Sequence, residues 1–350
     1  MTATDETTTV PELEPLEEHC EWTSESLGDG YVHELSAEHV AEVEAALAHA
    51  EAKVDDVLDV TCDDFPLPTL GPVLAEVTED LINGRGVVLL RGLPVERYTK
   101  DQASTMYWGI GLHVGEPWPQ NAKGHLLGDV TDQGKAVDDP TSRGNEIGGV
   151  PFPFHSDGSD LVGLMCLDPG LRGGASLVAN VVAIHNRMVR EEPELAAELY
   201  RPFPYDLRGE QAPGARSWYE MPICTRRKDR LFVRYIRPYI EATRRHDDAP
   251  TISDAARAAM DRVDELCADP QYHVSMTMQP GDIQLVNNYH VLHARKGYED
   301  DRPAGKIRHL KRLWLETALL TDDDKPERFR LGRTDTHWSR HGRTKSEVAI

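Results

Sequence analysis

Two histidines and one aspartate have the residue types and the spacing of a metal site. His155 and Asp157 stand two residues apart, and His293 follows far downstream, within residues 287–295. Two imidazoles and one carboxylate can occupy one face of an octahedral metal and leave the opposite face open, the arrangement typical of non-haem Fe(II) sites that react with O2. The three side chains therefore indicate an oxidative metal centre.

The spacing of His155 and Asp157 suggests how one segment could supply two ligands. Side chains at i and i+2 leave a strand on the same side. Taken alone, a His-x-Asp pair in a chain with 15 histidines is more often a solvated loop pair, because a short motif needs structural context. Here Phe152 and Phe154 precede the pair and an apolar run of strand length, residues 161–167, follows it.

Short strands and a few helices are predicted around these residues. A serine cap at Ser36 starts the first helix, Gly84 stops the second, and Ser253 starts the last. The predicted helices cover residues 36–58, 70–83, 101–108, a segment from about 182, and 253–269. The predicted strands cover residues 87–90, 161–167, 173–180, 231–236, 283–286 and 307–315, with a loop carrying Trp218, Tyr219 and Glu220. Many short strands separated by turn signals are consistent with a jelly roll.

Over residues 86–316 the sequence resembles the taurine dioxygenase-like (TauD/TfdA) branch of the Fe(II)/2-oxoglutarate-dependent oxygenases. Its elements occur in the family's order, and Asn288, His293 and Arg295 fit the family's Asn-x-x-x-x-His-x-Arg context. The resemblance implies that His155, Asp157 and His293 hold Fe(II). It also implies a mainly β fold with flanking helices (α+β), built on a double-stranded β-helix, or jelly roll, of the clavaminate synthase-like type.

The resemblance further assigns the binding of 2-oxoglutarate to Arg308 and Ser176. Arg308 lies about fifteen residues after the distal histidine, and Ser176 takes the place of the family's threonine in a Gly-Gly-x-Thr stretch. A guanidinium can engage a carboxylate with two parallel hydrogen bonds. Arg312, four residues after Arg308, should point to the same side of a strand and bind a second acid group, from the co-substrate or the substrate. Fe(II), 2-oxoglutarate and O2 are the expected cofactor and co-substrates.

Other polar residues near the motif are less specific. His290 and His293 would face opposite sides of an extended segment, so only one can reach the metal. The family context selects His293, which leaves His290 as a neighbour of the ligands, a substrate contact or a packed histidine. We predict Asp160, Asn288 and Arg312 as substrate contacts.

Composition limits the class of partner. The formal net charge of −22, from 60 acidic and 38 basic residues, argues against broad binding to nucleic acid or anionic membranes. Five scattered cysteines without a Cys-x-x-Cys pair fit a reducing cytoplasm, and neither a secretory signal nor an apolar run of membrane-spanning length is visible. We expect a cytoplasmic enzyme with a small-molecule substrate; whether it forms a homo-oligomer stays open.

The chain is predicted to contain one oxygenase domain. We expect an acidic, partly disordered segment at residues 1–30, the domain at 31–320 with a helical insertion at about 191–269, and a polar tail at 321–350. Residues 138–149, with two glycines before the metal motif, have the composition of a lid.

The expected function is oxidation, mainly hydroxylation, of a small polar or carboxylate-bearing molecule such as an amino acid or natural-product intermediate, with release of succinate and CO2. Desaturation, epoxidation and cyclisation use the same cofactor chemistry, and the motif does not separate them. One alternative is a jelly-roll protein that binds a metal or small acid without turnover. Another is a cupin-type metalloenzyme, which would offer more histidines and would not need Arg308.

Overall fold

The fold is that of a computed structural model, which describes residues 13–16, 20–121, 123–136, 139, 142–144, 146–211 and 213–329. The helices are α1 (Ser24–Leu27), α2 (Ala37–Glu51), α3 (Leu70–Asn83), α4 (Lys100–Val114), α5 (Val181–Glu191), α6 (Pro193–Glu198), α7 (Arg237–Ala242) and α8 (Asp254–Ala268). The strands are β1 (Val32–Glu34), β2 (Val87–Arg91), β3 (Glu116–Pro117), β4 (Leu127–Thr131), β5 (Phe152–His155), β6 (Leu161–Asp168), β7 (Arg172–Gly173), β8 (Ser176–Asn180), β9 (Pro202–Asp206), β10 (Trp218–Pro222), β11 (Cys224–Arg227), β12 (Arg230–Val233), β13 (His273–Met276), β14 (Ile283–Asn287), β15 (Val291–Arg295), β16 (Tyr298–Glu299) and β17 (His309–Glu316).

Two sheets form the centre of the fold. The larger sheet has the order β1-β2-β14-β6-β17-β3, with β4 also paired to β17, and the smaller has the order β13-β8-β15-β5. Apart from the parallel pair β1 and β2, neighbouring strands in these sheets run antiparallel. Helices α3 and α4 pack on the larger sheet, and α5 contacts β15 of the smaller one. The predicted jelly-roll architecture with flanking helices is confirmed.

Several predicted elements have other boundaries in the structure. Helix α3 and its Gly84 stop are as predicted, and Ser253 caps α8 by accepting from the Ala256 amide. The first long helix ends at Glu51 rather than near Leu58, and a separate 3₁₀ turn over Val57–Asp59 is capped by the Asp56 side chain. Helix α4 runs on to Val114, beyond the predicted end at residue 108.

Two strand predictions also need correction. Trp218, Tyr219 and Glu220 lie in β10, paired with β9, instead of in a loop. The strand predicted at residues 173–180 begins only at Ser176, because Gly173, at the end of β7, and Gly174, which follows it, both adopt positive φ. The strand predicted at 231–236 is β12, which ends at Val233. Residues 226–230, basic except for Asp229, form the tip of the hairpin of β11 and β12.

The domain limits stay a prediction. The segment predicted as an insertion, 191–269, contains α6, α7, α8 and strands β9 to β12. Half of the predicted N-terminal segment, residues 1–12 and 17–19, and most of the predicted C-terminal tail, residues 330–350, lie outside the described residues.

Candidate metal centre and its cavity

The three predicted metal ligands come together on the smaller sheet. His155 of β5 and His293 of β15 are directly paired across the two strands, and their ring centroids lie 4.2 Å apart. One ligand atom from each of His155, Asp157 and His293 falls within 4.8 Å of the other two. This cluster could hold a single metal ion.

Asp157 reaches the cluster from a loop, which corrects the prediction that one strand supplies both ligands. Strand β5 ends at His155. The Ser156 amide donates to the Tyr235 carbonyl at 2.8 Å, and the Ser156 hydroxyl accepts from the Tyr235 amide at 3.0 Å. The Asp157 amide then donates to Oδ1 of Asn288 at 3.1 Å. These contacts turn the chain out of the strand and fix Asp157 beside the histidines.

The protonation states suit a divalent cation. Burial lowers the pKa of His155, and burial together with His155 lowers the pKa of His293 to about 3, so both imidazoles are neutral at pH 7. Burial alone would raise the pKa of Asp157, but the Arg312 guanidinium and the two imidazoles outweigh it and hold that pKa well below its usual range. Two neutral nitrogen donors and one carboxylate are the donor set that Fe(II) sites use.

Neighbouring groups orient these donors. Nδ1 of His155 lies 2.9 Å from the Pro153 carbonyl, which favours the tautomer with the proton on Nδ1. The lone pair of Nε2 is then free to bind a metal. Oδ2 of Asp157 accepts from the Trp314 indole at 3.0 Å and from Nη1 of Arg312 at 3.3 Å. Because both contacts fall on Oδ2, the described residues leave Oδ1 available for a metal.

A cavity opens at the cluster, and its walls come from both sheets. Apolar side chains line it beside the charged ones, and Arg308 and Ser176 also face it. The apolar walls are formed by Val130, Phe152, Leu164, Ile236, Met278 and Leu310. A cavity with apolar walls and a few converging polar groups is the usual form of a small-molecule site.

Arg308 is prepared for an anion. Only 5% of the residue is exposed, and Nη1 has no hydrogen-bond partner among the described residues. Burial, and then the charge of Arg295, lowers the pKa of Arg308 to about 10, so the group is still charged at pH 7. Arg308 precedes β17 by one residue instead of lying on the strand as predicted. A buried guanidinium with an unused donor fits the carboxylate of a bound acid.

The Gly-Gly-x-Ser stretch lies against this arginine. Gly174 has a φ of +70°, and a Cβ there would lie 2.8 Å from Nε of Arg308, so only glycine permits this approach. The Ser176 hydroxyl lines the cavity and donates to Oε1 of Gln284. Ser176 and Arg308 thus line the same cavity, and their binding of 2-oxoglutarate stays a prediction.

Asp160 and Asn288, predicted as substrate contacts, do not line the cavity. Asp160 is fully buried and accepts from the Tyr289 hydroxyl, the Thr317 amide and the Lys325 ammonium at 2.6 to 3.0 Å. Asn288 binds the Asp157 amide and donates to the Ser159 carbonyl at 2.9 Å. Asn288 thus holds the loop that carries Asp157, whereas the Asp160 carboxylate is occupied by contacts inside the protein.

His290 fits the packed-histidine alternative. Only 3% of it is exposed, and Nδ1 lies 3.2 Å from Nδ2 of Asn287 in the turn before β15. It does not line the cavity.

The segment predicted as a lid lies beside the cavity where it is described, and residues 138, 140, 141 and 145 lie outside the described part. Arg143 donates to the Gln120 carbonyl at 2.9 Å and pairs with Glu210 at 3.0 Å. Arg295 donates to the Val150 carbonyl at 2.8 Å and the Ile147 carbonyl at 3.2 Å. The role of this segment as a lid stays a prediction.

Sequence reasoning missed Trp314, Arg234 and Tyr219 as cavity residues. Trp314 stands two positions after Arg312 on β17, so the alternation of a strand could have found it. Arg234 and Tyr219 come from the segment between the ligands, where no motif marks them.

Replacing Lys325 with methionine should destabilise the protein. Lys325 and Asp160 are both 0% exposed and lie 2.8 Å apart, so the variant would leave a buried carboxylate without its counter-ion. Removing one partner of a buried pair typically costs about 3–5 kcal/mol. The free energy of unfolding in urea measures this loss, and Lys325→Met combined with Asp160→Asn should recover part of it. A loss below about 1 kcal/mol would mean that the pair behaves like a surface ion pair.

Fold and site together define a jelly-roll oxygenase with a two-histidine, one-carboxylate metal centre. The chain belongs to the family described as taurine catabolism dioxygenase TauD, TfdA family, whose sequence pattern it matches over residues 36–314. It is an Fe(II)- and 2-oxoglutarate-dependent dioxygenase. Across the described residues, none of the helices has the length and apolar character needed to span a membrane.

Two relatives show the extent of the similarity in sequence. FR-33289 synthase from Streptomyces rubellomurinus is 32% identical over 268 residues, which cover 74% of this chain and 77% of that protein. Taurine hydroxylase-like protein SAT17 from Stachybotrys chartarum is 26% identical over 323 residues, which cover 87% of this chain and 82% of that protein.

Solved structures share the fold. An asparagine oxygenase in complex with Fe(II), hydroxyasparagine and succinate superposes with a TM-score of 0.63 at 18% identity, over 82% of this chain and 94% of that one. The non-haem iron oxygenase OrfP, in complex with Fe and alpha-ketoglutaric acid, superposes with a TM-score of 0.62 at 16% identity, over 81% of this chain and 93% of that one.

Proposed function

We propose that this protein hydroxylates a small substrate that carries an acid group, such as an amino acid or a natural-product intermediate, and that His155, Asp157 and His293 hold its Fe(II). The observation that carries the proposal is the shared cavity. The two-histidine, one-carboxylate cluster faces the same space as Arg308, whose buried guanidinium keeps an unused donor.

The co-substrate residues and the metal cluster have different roles in the cavity. Arg308 binds the distal carboxylate of 2-oxoglutarate, and Ser176 adds a hydroxyl beside it once its bond to Gln284 is exchanged. Bound Fe(II) supplies the activation of O2 that couples the decarboxylation of 2-oxoglutarate to succinate and CO2 with the oxidation of a substrate carbon. The apolar walls exclude water from the reacting centre, which protects the reaction from side products.

Trp314 and Arg312 position the carboxylate ligand. Both donate to Oδ2 of Asp157, so rotation of the carboxylate would break two hydrogen bonds at once. Nε of Arg312 is itself fixed by Oε1 of Gln120 at 2.8 Å. Arg312 also faces the cavity, where its charge favours a second acid group. We therefore assign the acid group of the substrate to the Arg312 side of the cavity.

The relatives support a small polar substrate. The fold neighbours were crystallised with hydroxyasparagine and with hydroxy-arginine beside succinate. Those ligands are amino acids, which carry the carboxylate that a cavity lined by arginines would attract. Hydroxylation is the outcome we propose over desaturation, epoxidation or cyclisation, because the amino acids bound beside succinate in those complexes are hydroxylated.

Anaerobic addition of Fe(II) and 2-oxoglutarate should produce the weak visible absorption of a 2-oxo acid chelated to iron. His293→Ala should lose this absorption because it removes a ligand, whereas His49→Ala, which changes an exposed histidine on α2, should keep it. Succinate release in air, screened over amino acids and other small acids, then identifies the substrate. Failure of the folded, iron-loaded wild-type protein to absorb would contradict the proposed site, and iron binding without succinate from any compound would favour a binding protein.

A further inference from the structure

Arg234 is a cationic side chain of the cavity that has no carboxylate partner among the described residues. It follows β12 and lines the same space as the metal cluster. Nη1 donates to the Ser156 carbonyl at 3.0 Å. Burial works against the charged form, but the nearby Tyr219, Tyr205 and Asp157 outweigh it and raise the pKa of Arg234. Among the described residues no carboxylate forms an ion pair with Arg234, because Asp157, which acts on it from a greater distance, is itself paired with Arg312 at 3.3 Å.

An unbalanced guanidinium in this position is costly. Arginine stays protonated throughout the physiological range, so it cannot avoid the cost by losing its proton. Moving a charge out of water is unfavourable unless an opposite charge or several hydrogen bonds replace the water. A cavity that retains such a group is arranged to receive an anion.

The acidic residues of the cavity are already paired with other cations. Glu210 lies 3.0 Å from Arg143. Asp206, which is fully buried, lies 2.7 Å from Arg245 and 2.9 Å from His246. These carboxylates therefore do not neutralise Arg234, and they offer little to the ammonium group of a ligand.

The other uncompensated arginines of the cavity differ from Arg234 in their surroundings. Arg295 donates to three backbone carbonyls of residues 144–150 and lies over the Tyr298 ring, so most of its donors are used inside the protein. Arg308 has the unused donor that 2-oxoglutarate would fill under the proposed function. Once 2-oxoglutarate is assigned to Arg308, Arg234 is still without an anionic partner. That partner must then be an acid group of the substrate.

Arg234 and Arg312 flank the loop that carries the carboxylate ligand. Arg234 holds the carbonyl of Ser156, and Arg312 holds Oδ2 of Asp157. At the next residue, Gly158, a Cβ would lie 3.2 Å from the Trp314 ring and 3.8 Å from Nη2 of Arg234. The missing side chain leaves space between the Trp314 ring and the Arg234 guanidinium, next to the metal cluster.

We propose that Arg234 is a substrate-specificity residue and that, together with Arg312, it binds an acidic group of the substrate: a carboxylate, a sulfonate or a phosphonate. The inference rests on the proposed function and narrows it. Since the cavity carboxylates are already paired, the preferred substrate has a net negative charge rather than being a zwitterion. Its oxidised carbon lies a short chain away from the acid group, because both arginines border the ligand loop.

The test uses small anions as probes of the substrate site. Acetate, methanesulfonate and methylphosphonate are titrated into the anaerobic protein with Fe(II) and 2-oxoglutarate, and the change in the visible absorption gives each dissociation constant. Dimethyl sulfone is the uncharged control. We expect saturable binding of at least one anion by the wild-type protein, and the tightest of the three identifies the acid class.

Arg234→Gln should weaken binding of that anion by roughly 10- to 100-fold, because one charged hydrogen-bonding partner is lost. Arg234→Lys should bind the anion with an affinity between those of the wild type and Arg234→Gln, since lysine keeps the charge but lacks the planar guanidinium. Arg226→Gln is the matched control, because Arg226 is exposed on the neighbouring strand of the same hairpin. It should bind the anion like the wild type.

The absorption separates this inference from the proposed function. If the wild-type protein gives no absorption with Fe(II) and 2-oxoglutarate, the proposed function itself fails, and this inference fails with it. If the absorption forms but no anion binds, or Arg234→Gln binds as tightly as Arg226→Gln, only the role of Arg234 is overturned. If Arg234→Gln loses the absorption of the iron chelate as well, the residue positions the ligand loop and the specificity role is wrong.

Discussion

Asp157→Ala is expected to abolish iron-dependent turnover. The variant leaves two neutral imidazoles as ligands and removes the only carboxylate of the cluster. It also leaves the Trp314 indole and the Arg312 guanidinium without their acceptor. Removing a group that only supports a metal ligand typically costs roughly 10- to 100-fold in affinity or activity, so loss of the ligand should exceed that range.

Metal content after desalting and the rate of succinate release measure this effect. Because a bound ligand stabilises the folded state, Fe(II) should raise the thermal midpoint of the wild-type protein and leave that of Asp157→Ala unchanged. Asp63→Ala, which changes an exposed aspartate before α3, is the control and should behave like the wild type. Turnover by Asp157→Ala within a few-fold of the wild type would mean that another group ligates the metal.

Arg308→Ala is expected to raise the 2-oxoglutarate concentration needed for half-maximal turnover by a large factor. The carboxylate of 2-oxoglutarate would enter a buried site without its cation. Truncating one partner of a buried, hydrogen-bonded charge pair costs about 2–5 kcal/mol, which corresponds to an increase of roughly 30-fold or more. The limiting rate at saturating 2-oxoglutarate should change much less, because Arg308 does not touch the metal cluster.

Arg308→Lys tests the geometry of this contact. A lysine keeps a positive charge but cannot form two parallel hydrogen bonds, so its 2-oxoglutarate requirement should lie between those of the wild type and Arg308→Ala. Arg302→Ala is the matched control, because Arg302 is exposed and pairs with Asp132 outside the main cavity. If Arg308→Ala kept the wild-type requirement, the co-substrate would bind elsewhere and the family assignment of this residue would not hold for the chain.

The clustering of His155, Asp157 and His293 and the position of Arg308 and Ser176 at the same cavity could be predicted, because each residue lies in a short local pattern. His155 and Asp157 share one motif, and His293 and Arg308 stand at characteristic distances along the sequence. The role of Asp160 could not be predicted in this way. Its burial depends on Lys325, which is 165 residues away, and a polar residue next to a motif looks the same whether it faces a cavity or a buried ion pair.

Element boundaries show the same limit of local information. The helical pattern after Ser36 continues in apolar periodicity past the real end at Glu51, because the sequence there contains no glycine stop. The strand predicted from Gly173 begins only at Ser176, because Gly173 and Gly174 adopt left-handed conformations that the apolar residues after them do not indicate. In both cases the backbone conformation of a few local residues sets the boundary, and an apolar pattern does not report that conformation.

The pairing of β5 with β15 has a consequence for the order in which the protein becomes active during synthesis. His155 emerges from the ribosome 138 residues before its strand partner His293, and β14, which lies between β2 and β6 in the larger sheet, also comes late. Contacts that join such distant segments form slowly. A nascent chain that ends before β15 has only part of the ligand set, so iron and oxygen chemistry cannot begin on an unfinished protein.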